Sequence, residues 1–135
     1  LGCFREIDVE DLTKHKMDSD LINVDTAAVN TINKAKAEGR RICAVGTSVQ
    51  RVLETATLTG GMLKEYDGWT NKFIFPEYDF QVANCMIANF YAPYSTMLML
   101  TSAFGGYDNV KNAYEVALKE GYRFGLYGDA MLIID

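Results

Sequence analysis

Four short segments carry side chains whose types and spacing could do chemistry. The first is Ala44-Val45-Gly46-Thr47-Ser48-Val49-Gln50-Arg51. It reads as a strand, a glycine turn, two hydroxyl residues and a helix start. N–H groups in a helix's first turn lack intrahelical partners and carry partial positive charge, so they suit a phosphate or a carboxylate. Gly46 lets a ligand approach the backbone, and Arg51, one turn on, could grip the same anion with two parallel hydrogen bonds. The bland alternative is a capped turn, with Thr47 and Gln50 at capping-box spacing and Arg51 paired to Glu54. The spacing matches neither the Walker loop nor the dinucleotide fingerprint.

The second segment is Asn89-Phe90-Tyr91-Ala92-Pro93-Tyr94-Ser95-Thr96. A strand ends in an amide and two aromatics, a proline bends the chain, and hydroxyls open a helix. Open α/β sheets place ligands at such strand ends. Asn89 could read a base edge, and Phe90 or Tyr91 could stack on a ring. Equally, the aromatics could be core and Ser95 only a helix cap.

The third is Tyr122-Arg123-Phe124 with Tyr127-Gly128-Asp129. Aromatics around a guanidinium suit a base or a nucleotide, and an acid lies at the tight turn beside them. The alternative is a self-satisfied turn at Asp129 with Arg123 paired at the surface. The fourth is His15-Lys16-Met17-Asp18-Ser19-Asp20. Its lone histidine could act as a general base, or the stretch could be an ordinary polar loop.

These segments need elements to hold them. Apolar runs predict strands at residues 3–7, 21–24, 41–45, 72–75, 78–82, 85–90 and 131–134, the one at 41–45 buried. Helical spacing of Ala28, Val29, Ile32 and Ala35 behind the N-cap Asp25 predicts a helix over 26–38, stopped at Gly39. Val49, Val52, Leu53 and Ala56 predict one over 48–58. A buried helix is expected over 95–104. Another follows an Asp108 or Asn109 cap, with Val110, Ala113, Tyr114, Ala117 and Leu118 on one stripe, and ends at Gly121. A loop is expected from Gly60 to Asn71. The alternation predicts an α/β fold, a mixed sheet with flanking helices, in a single domain over residues 1–135.

Composition supports a packed domain. The chain has 135 residues, 49% hydrophobic and 23% charged. That excludes a disordered tail or a collagen-like repeat and is enough chain for a real core. The net charge of -5 makes it no obvious electrostatic partner for nucleic acid or an anionic membrane. Three scattered cysteines and one histidine read as reduced thiols with no metal site. No signal peptide or membrane span is visible, so a cytoplasmic location is expected. The chain starts at Leu1 rather than Met, with a strand-like run almost at once, and reads as cut from something longer.

The ordered motifs, taken together, resemble the C-terminal part of the S-adenosylmethionine:tRNA ribosyltransferase-isomerases of queuosine biosynthesis. The resemblance runs through Gly2-Cys3-Phe4-Arg5, His15-Lys16-Met17, Asn33 to Arg41, Ala44-Val45-Gly46-Thr47 and Arg51-Val52-Leu53-Glu54. It continues through Phe73-Ile74-Phe75-Pro76, Tyr78-Asp79-Phe80, Asn89-Phe90, Pro93-Tyr94-Ser95-Thr96, Ser102-Ala103-Phe104 and Asn112-Ala113-Tyr114. Tyr122-Arg123-Phe124 and Tyr127-Gly128-Asp129-Ala130-Met131-Leu132-Ile133 close it. Nearly the whole chain is covered.

The resemblance implies transfer and rearrangement of the ribosyl group of S-adenosylmethionine onto 7-aminomethyl-7-deazaguanine in tRNA. Adenine and methionine leave, and epoxyqueuosine is formed. S-adenosylmethionine is then a cosubstrate, tRNA the partner, and no metal is called for. Thr47, Arg51, Glu54, Asn89, Ser95, Thr96, Arg123, Tyr127 and Asp129 become the expected binding residues; none is assigned as the catalytic base. The resemblance also implies a preceding β-barrel domain and N-terminal α/β segment. Without them the piece would be inactive, with exposed strand edges that favour self-association.

The chain departs from the family pattern at several places. Tyr91 stands where the family has histidine in Asn-Phe-His, and Asp18 replaces a second histidine. Gly-Thr-Thr-Ser-Val-Arg becomes Gly46-Thr47-Ser48-Val49-Gln50-Arg51, Glu77 replaces a glycine, and Gly125-Leu126 replaces Phe-Ser. A tyrosine cannot carry a proton near neutrality as imidazole does. These changes motivate an alternative: a non-catalytic nucleotide- or tRNA-binding or assembly paralogue that kept the fold. A generic methyltransferase is a weaker third reading, because no glycine-rich cofactor loop of that type is present.

Overall fold

The computed structural model describes residues 4–134. Among them, a short 3-10 turn at Leu12–Lys14 precedes strand β1 (Asp20–Val24) and helix α1 (Thr26–Ala37). Then come β2 (Cys43–Val45), α2 (Thr47–Thr55), β3 (Tyr66–Thr70) and β4 (Cys85–Asn89). Helices α3 (Thr96–Gly105) and α4 (Tyr107–Lys119) lead to β5 (Ala130–Ile134). This is an α/β architecture, as expected.

The strands form two sheets. β1 and β3 make an antiparallel pair, with Asp20 opposite Thr70 and Leu21 opposite Trp69. β4 is the centre of a mixed three-stranded sheet, parallel to β2 and antiparallel to β5. Ala44, Met86 and Ala88 are buried on one face of that sheet. They join Leu53, Ala56, Leu63, Ile74, Val82 and Leu100 in the core. The other face carries Val45, Ile87, Leu132 and Ile134 in register, and all four are exposed. Burying such a side chain is worth about 1.5–3 kcal/mol, so the uncovered face leaves that energy unclaimed.

The helices begin where local chemistry says they should. The Asp25 carboxylate accepts the Ala28 N–H at 2.8 Å and caps α1. Ser95 Oγ accepts the Leu98 N–H at 3.1 Å and caps α3. Two other caps differ from expectation. α4 is entered from Gly106, at φ 78°, rather than from an Asp108 or Asn109 cap. Likewise Gly46, at φ 94°, is the N-cap of α2; Thr47 is already helical, and no side-chain bond closes the capping box. α2 ends at Thr55, short of 58: Ala56 is its C-cap and Thr57 already bridges Leu63.

Three strand expectations fail. Residues 1–3 lie outside the described residues, and residues 4–7 carry only an isolated bridge between Glu6 and Ser95. Residues 72–75 and 78–82 form no strand, and three of their N–H groups go to side chains rather than to a neighbouring ladder. The Glu54 carboxylate accepts the N–H groups of Gln81 and Val82, and Thr70 Oγ1 accepts that of Lys72. Conversely, β3 lies inside the expected loop. Its register with β1 creates it, since Gly68 and the exposed Trp69 leave no apolar run to read. The strand expected as buried over 41–45 is short, and Cys43 and Val45 on it are exposed at a sheet edge.

Candidate substrate-binding site

The turn from β2 into α2 is fixed by Gly46, whose N–H donates to Ile87 O of β4 at 2.8 Å. Beyond it, Thr47 and Ser48 at the start of α2 face Thr96 at the start of α3 across a narrow recess. Met17, Lys72, Phe73 and Ile74 complete much of its wall, and Arg51 forms its floor. The first residues of two helices and Lys72 therefore border one recess, whose remaining lining, with Met97 and Leu100, is largely apolar; helix starts are the part of it that favours a small anionic group. Lys72 Nζ donates to Tyr78 Oη at 3.1 Å and lies 5.5 Å from that ring's centre. His15 is buried beside this wall, its ring 4.8 Å from Phe73, and its Nε2 has no partner among the described residues.

Arg51 is placed differently from the bidentate anion clamp expected of it. It is buried and pairs with Asp20, not Glu54: Nη1 reaches Asp20 Oδ2 at 2.6 Å. Nη2 donates to Thr70 O at 2.8 Å and to Asp18 O at 3.4 Å. Both terminal nitrogens thus hold the β1–β3 pair onto α2, and only Nε is left without a partner among the described residues.

Glu54, at the other end of α2, is also buried and does not line the recess. It accepts Gln81 N–H at 3.0 Å, Val82 N–H at 3.2 Å and the Tyr78 hydroxyl at 3.2 Å. Burial, and then the Glu54 charge, push the Tyr78 hydroxyl up to about 12. Glu54 therefore anchors the 78–82 segment.

Asn89, Arg123 and Asp129 come together at the far end of the mixed sheet. Asn89 Nδ2 donates to Asp129 O at 3.2 Å and Gly128 O at 3.5 Å. Asp129 Oδ2 accepts the Arg123 N–H at 2.7 Å, which holds that carboxyl below its usual range. A Cβ at Gly128 would lie 2.2 Å from Arg123 O, so only glycine closes this loop. Under it Phe90 packs at ring distances of 5.3 Å from Tyr114, 5.2 Å from Phe124 and 5.8 Å from Tyr122. Tyr127 projects from the closed loop with 99% of its surface exposed.

The structure thus gathers Thr47, Arg51 and Thr96 in one recess and Asn89, Arg123 and Asp129 in another cluster. Ser95 serves as a cap, Glu54 as an anchor, and Tyr127 stands free. Lys72 was not legible as a site residue, because it lies outside the four segments and only the fold brings it beside Thr47, whereas Ser48 stood in the first segment as one of its two hydroxyls. Tyr91 is core: it is buried, and its N–H donates to Tyr114 Oη at 2.8 Å. Asp18 forms a surface pair with Arg5 at 2.9 Å. Among the described residues no group of three or more histidine, cysteine, aspartate or glutamate side chains could hold a metal, and no helix is long and apolar enough to cross a membrane.

Comparison with known proteins agrees with the motif order. A family model described as queuosine biosynthesis protein matches residues 1–133. The S-adenosylmethionine:tRNA ribosyltransferase-isomerase of Phocaeicola vulgatus is 67% identical over 135 residues, covering all of this chain and 38% of the relative. The Bacteroides fragilis protein of the same name is 64% identical over the same share. The crystal structure of the S-adenosylmethionine tRNA ribosyltransferase from Thermotoga maritima superposes with a TM-score of 0.79 at 43% identity, over 84% of this chain and 40% of that one. The chain therefore spans well under half the length of these relatives. From its order of motifs, its α/β fold and these matches, the chain belongs to the queuosine biosynthesis protein family.

Proposed function

We propose that residues 1–135 are a single α/β unit, the C-terminal portion of an S-adenosylmethionine:tRNA ribosyltransferase-isomerase. The whole protein would move and rearrange the ribosyl group of S-adenosylmethionine onto 7-aminomethyl-7-deazaguanine in tRNA, giving epoxyqueuosine, in the cytoplasm. The observation that carries this reading is identity of 64–67% along the entire chain to relatives bearing that name. The recess between the α2 and α3 N-termini suits the carboxylate of the methionyl group, with Thr47, Ser48, Thr96 and Lys72 around it. It is too narrow for a nucleoside, so the adenosine would lie outside it. Asn89, Arg123 and Asp129 would form the rigid base of a loop that offers Tyr127 to a tRNA base.

The uncovered sheet face supports the same reading. In the whole protein, segments that the relatives have beyond this chain's span would cover Val45, Ile87, Leu132 and Ile134. Alone, the chain would self-associate through that face and lack activity. Light scattering on the isolated chain tests this, and a strict monomer would overturn it.

A second reading is favoured by Tyr91, which fills the position of a family histidine with a buried, structural side chain. On it, the protein binds S-adenosylmethionine or tRNA without chemistry. The test is adenine release from S-adenosylmethionine by the full-length protein, with tRNA carrying the precursor base. Release at rates typical of enzymes supports the transferase. Binding of both substrates without adenine release overturns it in favour of the binding paralogue.

A further inference from the structure

We propose that Cys43 and Cys85 are a thiol pair that an oxidant closes to a disulfide between β2 and β4. They are Cα partners in the parallel register of these strands. Neighbouring strands lie about 4.8 Å apart, inside the Cα separation of about 4.4–6.8 Å that a disulfide accepts. Partners in register project from the same face of the sheet. Both are free thiols; in this chain Cys43 is exposed on the face that carries Val45 and Ile87, with Cys85 buried beside it, so the reaction needs that face open to the oxidant. Cys85 Sγ lies 3.6 Å from Ile42 O, the carbonyl that leads into Cys43, so its sulfur is turned toward β2. Burial, and then the Cys85 thiol against it, hold the Cys43 thiol above its ordinary range, so only a small thiolate fraction is present to attack and oxidation is slow until an oxidant is supplied.

The chemistry balances with a peroxide as oxidant. The exposed Cys43 sulfur attacks one peroxide oxygen, the O–O bond breaks, and a sulfenic acid and one water result. Cys85 sulfur then attacks the sulfenic sulfur. The S–S bond forms, the S–O bond breaks, and the hydroxyl leaves as water with the Cys85 proton. Two thiols and one hydrogen peroxide become one disulfide and two waters. A dithiol reductant reverses the product by thiol–disulfide exchange. The bond would staple the strand that enters the Gly46 turn to the strand that ends at Asn89, and this role is independent of the reaction proposed above.

The test uses the chain with Cys3→Ser, which removes the third thiol. Hydrogen peroxide should abolish both free thiols, lower the mass by two hydrogens and leave a cross-linked peptide spanning Cys43 and Cys85. Dithiothreitol should restore both thiols. In Cys43→Ser the buried Cys85 should stay reduced under the same treatment. Two thiols surviving peroxide, added oxygen on Cys43 without a cross-link, or a disulfide only between two chains would each overturn the proposal. Circular dichroism on the variants separates these results from misfolding.

Discussion

The guanidinium of Arg51 meets the carboxylate of Asp20 at 2.6 Å, with only 7% and 14% of the two side chains exposed. Arg51 also donates to Thr70 O, directly across β1–β3 from Asp20. One side chain on α2 therefore clamps both strands of the pair. Removing one member of a buried ion pair leaves the other uncompensated, at about 3–5 kcal/mol. Asp20→Ala and Arg51→Ala should each lower the free energy of unfolding by that order, and the double variant should lose less than their sum. Arg51→Lys should not rescue, because an ammonium lacks the planar fork that reaches both Asp20 and Thr70. Trp69, the single tryptophan, neighbours Thr70 and reports the loosening by fluorescence. Additive losses would show that the two groups are not coupled.

Glu54 gives a parallel case without a countercharge. Its carboxylate satisfies the N–H of buried Val82, the N–H of Gln81 and a hydroxyl. Glu54→Ala strands those donors and should cost about 2–4 kcal/mol. Glu54→Gln keeps one acceptor oxygen and should recover part of the loss. Hydrogen exchange at the Gln81 and Val82 amides reads the effect locally. Unchanged protection there in Glu54→Ala would contradict the anchoring role.

Gln50 points the other way. It is fully buried, and neither end of its amide has a partner among the described residues. An unsatisfied buried amide costs about 1–3 kcal/mol. Gln50→Met, of similar length, should therefore raise the melting temperature. A fall would reveal a polar partner for the amide.

Two tyrosines set the alkaline limit. Burial pushes Tyr78 and Tyr114 from 10.0 up to about 12; the Glu54 charge adds to this at Tyr78, while the Tyr91 N–H bond works against it at Tyr114. Their folded values are raised, so the folded state holds these protons more tightly than the unfolded chain. Stability from this source is intact below pH about 10 and falls as pH rises through about 12. Urea midpoints should decline across that window, and phenolate absorbance should show two late-titrating hydroxyls. Ordinary titration of all eight tyrosines near 10 would refute this.

Asp129 acts at the opposite end of the scale. Its pKa is lowered, chiefly by the Arg123 N–H, so its contribution is present above its unfolded value of 3.8 and is lost as pH falls through the lower folded value. Asp129→Ala should open the 122–129 loop at neutral pH, seen as faster proteolysis beside Tyr127, while the core keeps its protection. Equal cleavage in both proteins would mean that Asn89 and Gly128 suffice to close the loop.

What could be read from the residues alone was local. Asp25, Ser95 and Gly39 announce helix ends because a cap acts within three or four residues of chain. The stripe of Val110, Ala113, Tyr114 and Ala117 announces α4 for the same reason. The order of motifs also pointed to the family before any strand was placed. Pairings at long separation were not legible. β3 exists only because β1 lies beside it, and the Gln81 and Val82 donors go to Glu54 from 27 and 28 residues away rather than to a neighbouring strand. The meaning of Arg51 was likewise settled at a distance. As sequence it stood at the start of a helix and suggested an external anion. The fold brings Asp20 and Thr70 to it from 31 and 19 residues away and uses its two terminal nitrogens internally. The residues determined that a helix N-terminus, an arginine and hydroxyls were available for binding. Tertiary packing decided which of them remain free, because a buried charge must be satisfied within the chain before the protein can stand.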